Sequence, residues 1–100
     1  MVKVSASLDC ADYLRLEEEI KKLERAKIDM LHIDIMDGVF VPNFALGTNL
    51  LRKLRPATSL TFDVHLMVQN PETFIPLFAD LGADIITFHA EVSPRLHYLV

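Results

Sequence analysis

The segments Met30–Met36, MLHIDIM, and Leu60–Val68, LTFDVHLMV, decide the fold. Side chains on a β-strand alternate between its two faces. In the first segment His32, Asp34 and Met36 share one face, and Ile33 and Ile35 share the other. In the second, Asp63, His65 and Met67 stand opposite Val64, Leu66 and Val68. A parallel strand buried on both sides reads as an unbroken Val/Ile/Leu run. Two faces of opposite chemistry predict strands with one side packed on helices and the other lining a polar interior. Buried polar groups are costly unless bonded, so that interior needs partners, and a metal or polar ligand would supply them.

Two more strands follow the same rule. Lys3–Leu8, KVSASL, sets Ser5 and Ser7 against Val4, Ala6 and Leu8, and Asp84–Ala90, DIITFHA, sets Thr87 and His89, with Glu91 beyond, against Ile86 and Phe88. The four segments start roughly 25 to 30 residues apart, about the length of one βα unit. Between them lie helical patterns. Tyr13–Lys27 has Asp12 as N-cap and an apolar stripe of Leu16, Ile20 and Leu23; Glu17, Glu18, Lys21, Lys22 and Arg25 form a solvated face of mixed sign. Thr48–Leu54 offers Leu50, Leu51 and Leu54 and stops before Pro56. Asn70-Pro71-Glu72 is a helix start with Asn as cap; Phe74, Leu77, Phe78 and Leu81 make its core side, Gly82 its C-cap, and Pro76 an expected kink.

Strand and helix in alternation imply parallel strands with right-handed crossovers. An open doubly wound sheet would want G-x-G-x-x-G after the first strand, where Leu8-Asp9-Cys10-Ala11-Asp12 has no glycine. The other arrangement is the α/β class (β/α)8 TIM barrel, which takes about 250 residues. The 100 residues are therefore expected to supply about its first four βα units, residues 1–100 forming the N-terminal half.

Composition narrows the function. The net charge of −4 argues against nonspecific nucleic-acid binding and a polybasic membrane anchor. A 51% hydrophobic and 24% charged chain is globular rather than disordered. One cysteine, Cys10, allows neither an internal disulfide nor a multi-cysteine zinc site, and it reads as a small buried hydrophobe. No apolar run reaches the roughly 18 residues of a membrane span, and the N-terminus lacks the apolar core of a signal peptide. A cytoplasmic protein without nucleic-acid or membrane partners is the expectation.

His32, Asp34 and His65 are the candidate metal ligands. Two imidazoles and a carboxylate on neighbouring strands suit one divalent ion, Zn²⁺ or Fe²⁺ first, Mn²⁺ or Co²⁺ as alternatives. The competing reading is a pair of core histidines with a loop-capping acid. Asp63 is either an acceptor holding an imidazole N–H or a salt-bridge member. Met36 and Met67 are either core filler or an apolar floor under a substrate. His89 and Glu91 read as a structural hydrogen-bonded pair rather than ligands. The loop Asp37–Gly47, DGVFVPNFALG, exposes Val39, Phe40, Val41 and Phe44 as a lid, a subunit contact or a cover over the barrel end.

At Ser7-Leu8 with Ala11-Asp12, LHIDIMDGVFVPNF (Leu31–Phe44), DVHLMVQNPE (Asp63–Glu72) and LGADIITFHAE (Leu81–Glu91), the chain resembles the ribulose-phosphate 3-epimerase family. The resemblance covers nearly all the chain in the family's order and spacing. It implies a metal-dependent barrel isomerase of carbohydrate metabolism, in the pentose-phosphate pathway, that interconverts D-ribulose 5-phosphate and D-xylulose 5-phosphate through an enediolate. It further implies His32, Asp34 and His65 as metal ligands, Asp34 as one catalytic acid/base, and Ser7, His32, His65, Met36 and Met67 in the substrate site. A small-molecule sugar phosphate and a second copy of the chain, in a homo-oligomer, are the implied partners. A second aspartate and a glycine-rich phosphate grip belong to later strands of the family, outside residues 1–100. Val39, Ala6 and Asp9 depart from the family's polar residue, proline and aliphatic residue at those places. Two alternatives stay open: a truncated, non-catalytic half-barrel keeping the metal residues, and an epimerase of a related ketose phosphate such as D-allulose 6-phosphate. A barrel decarboxylase would want a lysine at the end of the second or third strand, and neither has one.

Overall fold

The period-two pattern becomes a parallel sheet in the computed structural model, which describes every residue from Met1 to Val100. Strands β1 (Ser5–Ser7), β2 (Met30–Asp37), β4 (Thr61–Met67) and β5 (Ile85–Phe88) lie side by side in the order β1-β2-β4-β5. All three contacts along that path are parallel. A two-residue strand, β3 (Phe44–Ala45), pairs antiparallel with the end of β2, Met36 facing Ala45. Strand β4 accompanies β2 as far as Met36. So β3 occupies the opposite edge of β2, which β1 leaves bare after Ser7 pairs with His32.

Three helices connect the strands: α1 (Leu16–Arg25), α2 (Thr48–Leu54) and α3 (Pro71–Asp80); a short α4 (Leu96–Leu99) comes last. None is long and apolar enough to cross a membrane. Helix α1 is preceded by a 3-10 turn at Tyr13–Arg15, capped by Asp12, whose side chain accepts from the Leu14 N–H at 3.0 Å. Its polar face lies in water as the charge pattern requires, while Ile20 is buried. Helix α3 runs through Pro76, which sits on its exposed side. Its expected cap differs in detail. The Asn70 side chain makes no capping bond, and the Asn70 carbonyl alone accepts from Thr73 N.

The core decides between the two architectures. Leu31, Ile33, Phe62 and Val64 are fully buried, and they pack with Ile20 of α1, Leu51 and Leu54 of α2 and Phe78 of α3. All three helices therefore cover one face of the sheet. A doubly wound sheet carries helices on both faces; one covered face and one bare polar face is the layout of part of a (β/α) barrel. The shortest dimension of the molecule, 22 Å, fits one helix layer on one sheet. Burying each large apolar side chain contributes about 1.5–3 kcal/mol, so this one-sided core holds the strands in register while their other face stays polar.

The first strand is shorter than the pattern suggested. Leu8 leaves it and enters a 3-10 turn with Asp9 and Cys10. The turn buries Leu8 completely and carries Cys10 outward. The expectation of a buried Cys10 is thereby corrected: small size favoured an interior place, but the turn sets its direction.

At the lower edge, Arg55 ties the ends of several elements together. Its guanidinium donates to the carbonyls of Gly82 (3.0 Å), Thr58 (2.9 Å) and Leu60 (2.8 Å) and lies over the Phe62 ring at 3.7 Å. It also reaches Asp84 at 3.3 Å, while Asp84 accepts from Phe62 N at 2.8 Å.

Candidate metal centre and active site

Register turns the alternation of two strands into a checkerboard. His32 on β2 pairs with Asp63 on β4, and Asp34 pairs with His65. Each imidazole thus has a carboxylate beside it across the sheet and a further one along or across the pleat. His32 Nδ1 lies 2.8 Å from Asp63 Oδ2, and His32 Nε2 lies 3.1 Å from Asp34 Oδ1. His65 Nδ1 is 3.1 Å from that same Asp34 oxygen. Asp63 also accepts from Ser5 Oγ at 2.9 Å. Of the two readings of Asp63, the geometry realises the acceptor that holds an imidazole.

These side chains are half-buried on a face without helices, with 17% of the Asp34 side chain and 29% of His32 exposed. Burial opposes the charged form of His32, but the hydrogen bond to Asp63 and the charges of Asp34 and Asp63 outweigh it. The pKa of His32 is raised above its ordinary value. An imidazole facing an acceptor at both nitrogens holds two protons comfortably, which accounts for the direction.

The donor set fits a divalent cation. One ligand atom from each of His32, Asp34 and His65 lies within 4.8 Å of the others. Asp63 fixes the Nδ1 side of His32, leaving Nε2 turned toward Asp34. Hydrogen-bonded support of this kind orients a ligating imidazole. Two nitrogens and one carboxylate oxygen form a mixed set suited to Zn²⁺ or Fe²⁺.

The remaining candidates take graded positions. Met36 and Met67 pair with each other one pleat step beyond Asp34 and His65, on the same face. Ser7 lies beside His32 in the register, but no hydrogen bond joins it to the cluster. Ser5, two residues earlier on the same face, is the one that bonds Asp63, a role that strand parity alone signals. His89 departs most from expectation. Its Nδ1 stays 3.7 Å from Glu91, whereas its Nε2 is 2.8 Å from His65 Nε2. The expected His89–Glu91 hydrogen bond gives way to a histidine pair across β4 and β5. The available signal was parity: His89 follows Thr87, the register partner of His65, by two residues on the same face.

The β2–α2 loop closes over this end of the sheet. Asp37 Oδ1 accepts from Val39 N and Phe40 N, both at 2.9 Å, and Asp37 Oδ2 accepts from Gln69 N at 2.8 Å. Burial works against the Asp37 charge, but these backbone donors prevail and hold its pKa below the ordinary value. Gly38 has φ +76°, and a Cβ there would fall 2.6 Å from the Phe44 ring. Phe40 rests on the His89 ring, with centroids 5.0 Å apart, while Val39 and Phe44 remain exposed.

Comparison with known proteins gives the chain's family. Residues 3–100 match the model of the ribulose-phosphate 3 epimerase family. The chain is 48% identical to ribulose-phosphate 3-epimerase of Bacillus subtilis over 97% of its own length and 45% of the relative's. It is 47% identical to the Synechocystis enzyme of that name, over 96% of the chain and 43% of the relative. With the Methanocaldococcus jannaschii enzyme of that name the identity is 45%, over 91% and 38%. The chain spans less than half the length of each of these relatives.

Proposed function

The chain belongs to the ribulose-phosphate 3-epimerase family, and from that premise we propose that it carries part of the active site of an epimerase that inverts C3 between D-ribulose 5-phosphate and D-xylulose 5-phosphate. Residues 1–100 are the N-terminal half of its barrel. The observation that carries the reading is the meeting of His32, Asp34 and His65 on one face, with ligand atoms within 4.8 Å of one another.

Inversion at C3 removes a proton next to the C2 carbonyl and returns one to the opposite face. The state between is a cis-enediolate, an anion. His32, Asp34 and His65 would hold a divalent ion, Zn²⁺ or Fe²⁺ in preference to Mn²⁺ or Co²⁺, and when bound it supplies positive charge against that anion. Asp34 takes the proton on one face of the sugar carbon. A carboxylate is a weak base in water, so its half-buried position between two imidazoles matters: it keeps the group oriented and limits its solvation. The acid that serves the other face lies outside these residues. Met36 and Met67 give the reacting carbons an apolar floor that excludes water, and Ser7 and the two histidines contact the sugar. The protein works in the cytoplasm as a homo-oligomer.

Exchange of the C3 proton of D-ribulose 5-phosphate with D₂O, followed by NMR in the epimerase that contains this chain, tests the assignment. Asp34→Asn should slow exchange roughly 10²- to 10⁴-fold. Exchange near the parental rate would remove Asp34 from the base role, and no exchange in the parent with metal supplied would reject the reaction itself.

A further inference from the structure

His89 lies outside the cluster just described, yet its Nε2 is 2.8 Å from His65 Nε2. Only one proton fits between two ring nitrogens at that distance, so one ring donates and the other accepts. The other nitrogen of His65, Nδ1, faces Asp34 at 3.1 Å. An imidazole that gives a lone pair to a cation from Nδ1 must carry its proton on Nε2. That proton then points at His89, whose Nε2 accepts it. His89 in turn keeps its own proton on Nδ1, on the side of Glu91, 3.7 Å away. With a cation held between His65 Nδ1 and Asp34, one tautomer of each ring satisfies the series from Asp34 to His89.

The packing holds His89 in that attitude. Its ring meets that of His65 edge to edge, with centroids 5.0 Å apart and planes inclined by 27°, the attitude an in-plane N–H···N bond requires. The Phe40 ring lies against it at 5.0 Å, inclined by 47°. Phe40 is fixed in turn by the bond from its N–H to Asp37. The rings of Phe40, His89 and His65 thus form a row reaching from the loop after β2 to the cluster.

We propose that His89 is a positioning residue: by accepting the His65 Nε2 proton it fixes the ring angle and tautomer that turn His65 Nδ1 toward the ion-binding centre. This rests on the assignment of His65 as a ligand, and the test separates the two. Competition with a chromophoric chelator gives the affinity of the chain for Zn²⁺ alone, without substrate or turnover. His89→Phe keeps a ring between Phe40 and His65 but cannot accept a proton, and affinity should fall roughly 10- to 100-fold. His89→Gln offers an amide oxygen at similar reach, and should recover most of that loss. Unchanged affinity in His89→Phe, alongside a large loss in His65→Ala, would overturn the positioning role and leave the ligand assignment intact. Unchanged affinity in His65→Ala would overturn the ligand assignment. A second measurement needs no variant: ¹H–¹⁵N NMR of the Zn²⁺-loaded parent chain should give a protected, downfield His65 Nε2–H signal, and its absence would overturn the proposal even if His89→Phe failed to fold.

Discussion

Replacing Asp63 by Asn is the sharpest probe of how the polar face is organised. The change is isosteric and leaves the Ser5 and His32 contacts in reach, but removes one negative charge. In the parent, Asp63 Oδ2 takes both the His32 Nδ1 bond at 2.8 Å and the Ser5 Oγ bond at 2.9 Å. Two consequences can be worked out. Burial pushes His32 toward its neutral form, and the Asp63 bond is the foremost influence on the other side. Without that charge the His32 pKa should fall. A histidine with a raised folded-state pKa stabilises the fold fully below its unfolded pKa, about 6.5, and the contribution fades as pH rises through the folded value. In the metal-free chain Asp63→Asn should therefore flatten the decline of stability above about pH 6.5. The second consequence concerns the ion. Loss of a carboxylate supporting a ligating imidazole lowers metal affinity roughly 10- to 100-fold, or about 1.4–2.7 kcal/mol. NMR titration of the His32 ring proton and Zn²⁺ competition measure the two effects. A His32 pKa that rises, or Zn²⁺ affinity equal to the parent's, would refute the reasoning.

Three further outcomes follow from other parts of the molecule. Arg55→Ala removes a cation that donates to three carbonyls and covers Phe62; it should cost about 3 kcal/mol in urea unfolding, and Arg55→Lys should recover less than half, because an ammonium lacks the planar fork. Asp37, whose pKa is lowered in the fold, stabilises the protein above its unfolded pKa near 4, and that contribution is lost as pH falls through the folded value; Asp37→Asn should weaken the pH dependence of stability between about pH 5 and pH 3. Helix α1 ends on Lys27 at φ +60°, the left-handed turn that α3 makes with Gly82 at φ +102°; Lys27→Gly should stabilise by about 1 kcal/mol and raise Tm by about 4–8 °C, whereas Gly82→Ala should destabilise, since its Cβ would meet Arg55 Cδ at 2.3 Å.

Much of the fold was legible because its signal is local. Alternation within a strand needs no knowledge of the neighbouring strand, and it placed His32 with Asp34, Asp63 with His65, and Leu31, Ile33, Phe62 and Val64 on the opposite side. The apolar stripe of α1 was equally local. What escaped depends on direction and register. Cys10 turns outward, and Asn70 caps α3 without its side-chain bond, because turn geometry, rather than residue type, aims a short side chain. His89 was paired with Glu91 because they are close in sequence, whereas its partner lies 24 residues away across two strands.

The register also explains how a barrel-type strand tolerates so polar a face. H-x-D on β2 and D-x-H on β4, laid side by side without offset, set an acid beside every imidazole. No buried side-chain nitrogen or oxygen is left without a hydrogen-bond partner, so the face needs no cation to be satisfied. A slip of one residue would turn His65 and Asp63 into the helix-packed core and bring Val64 and Leu66 to the polar side, and the cost of burying those unpaired groups selects the observed register. An incoming cation must then displace the protons on His32 Nε2 and His65 Nδ1 and take over the Asp34 oxygen that both imidazoles share. Binding at this centre is an exchange of a proton network for an ion, and the groups that persist through the exchange, Asp63 on one side and His89 on the other, are the ones whose replacement should be felt in affinity.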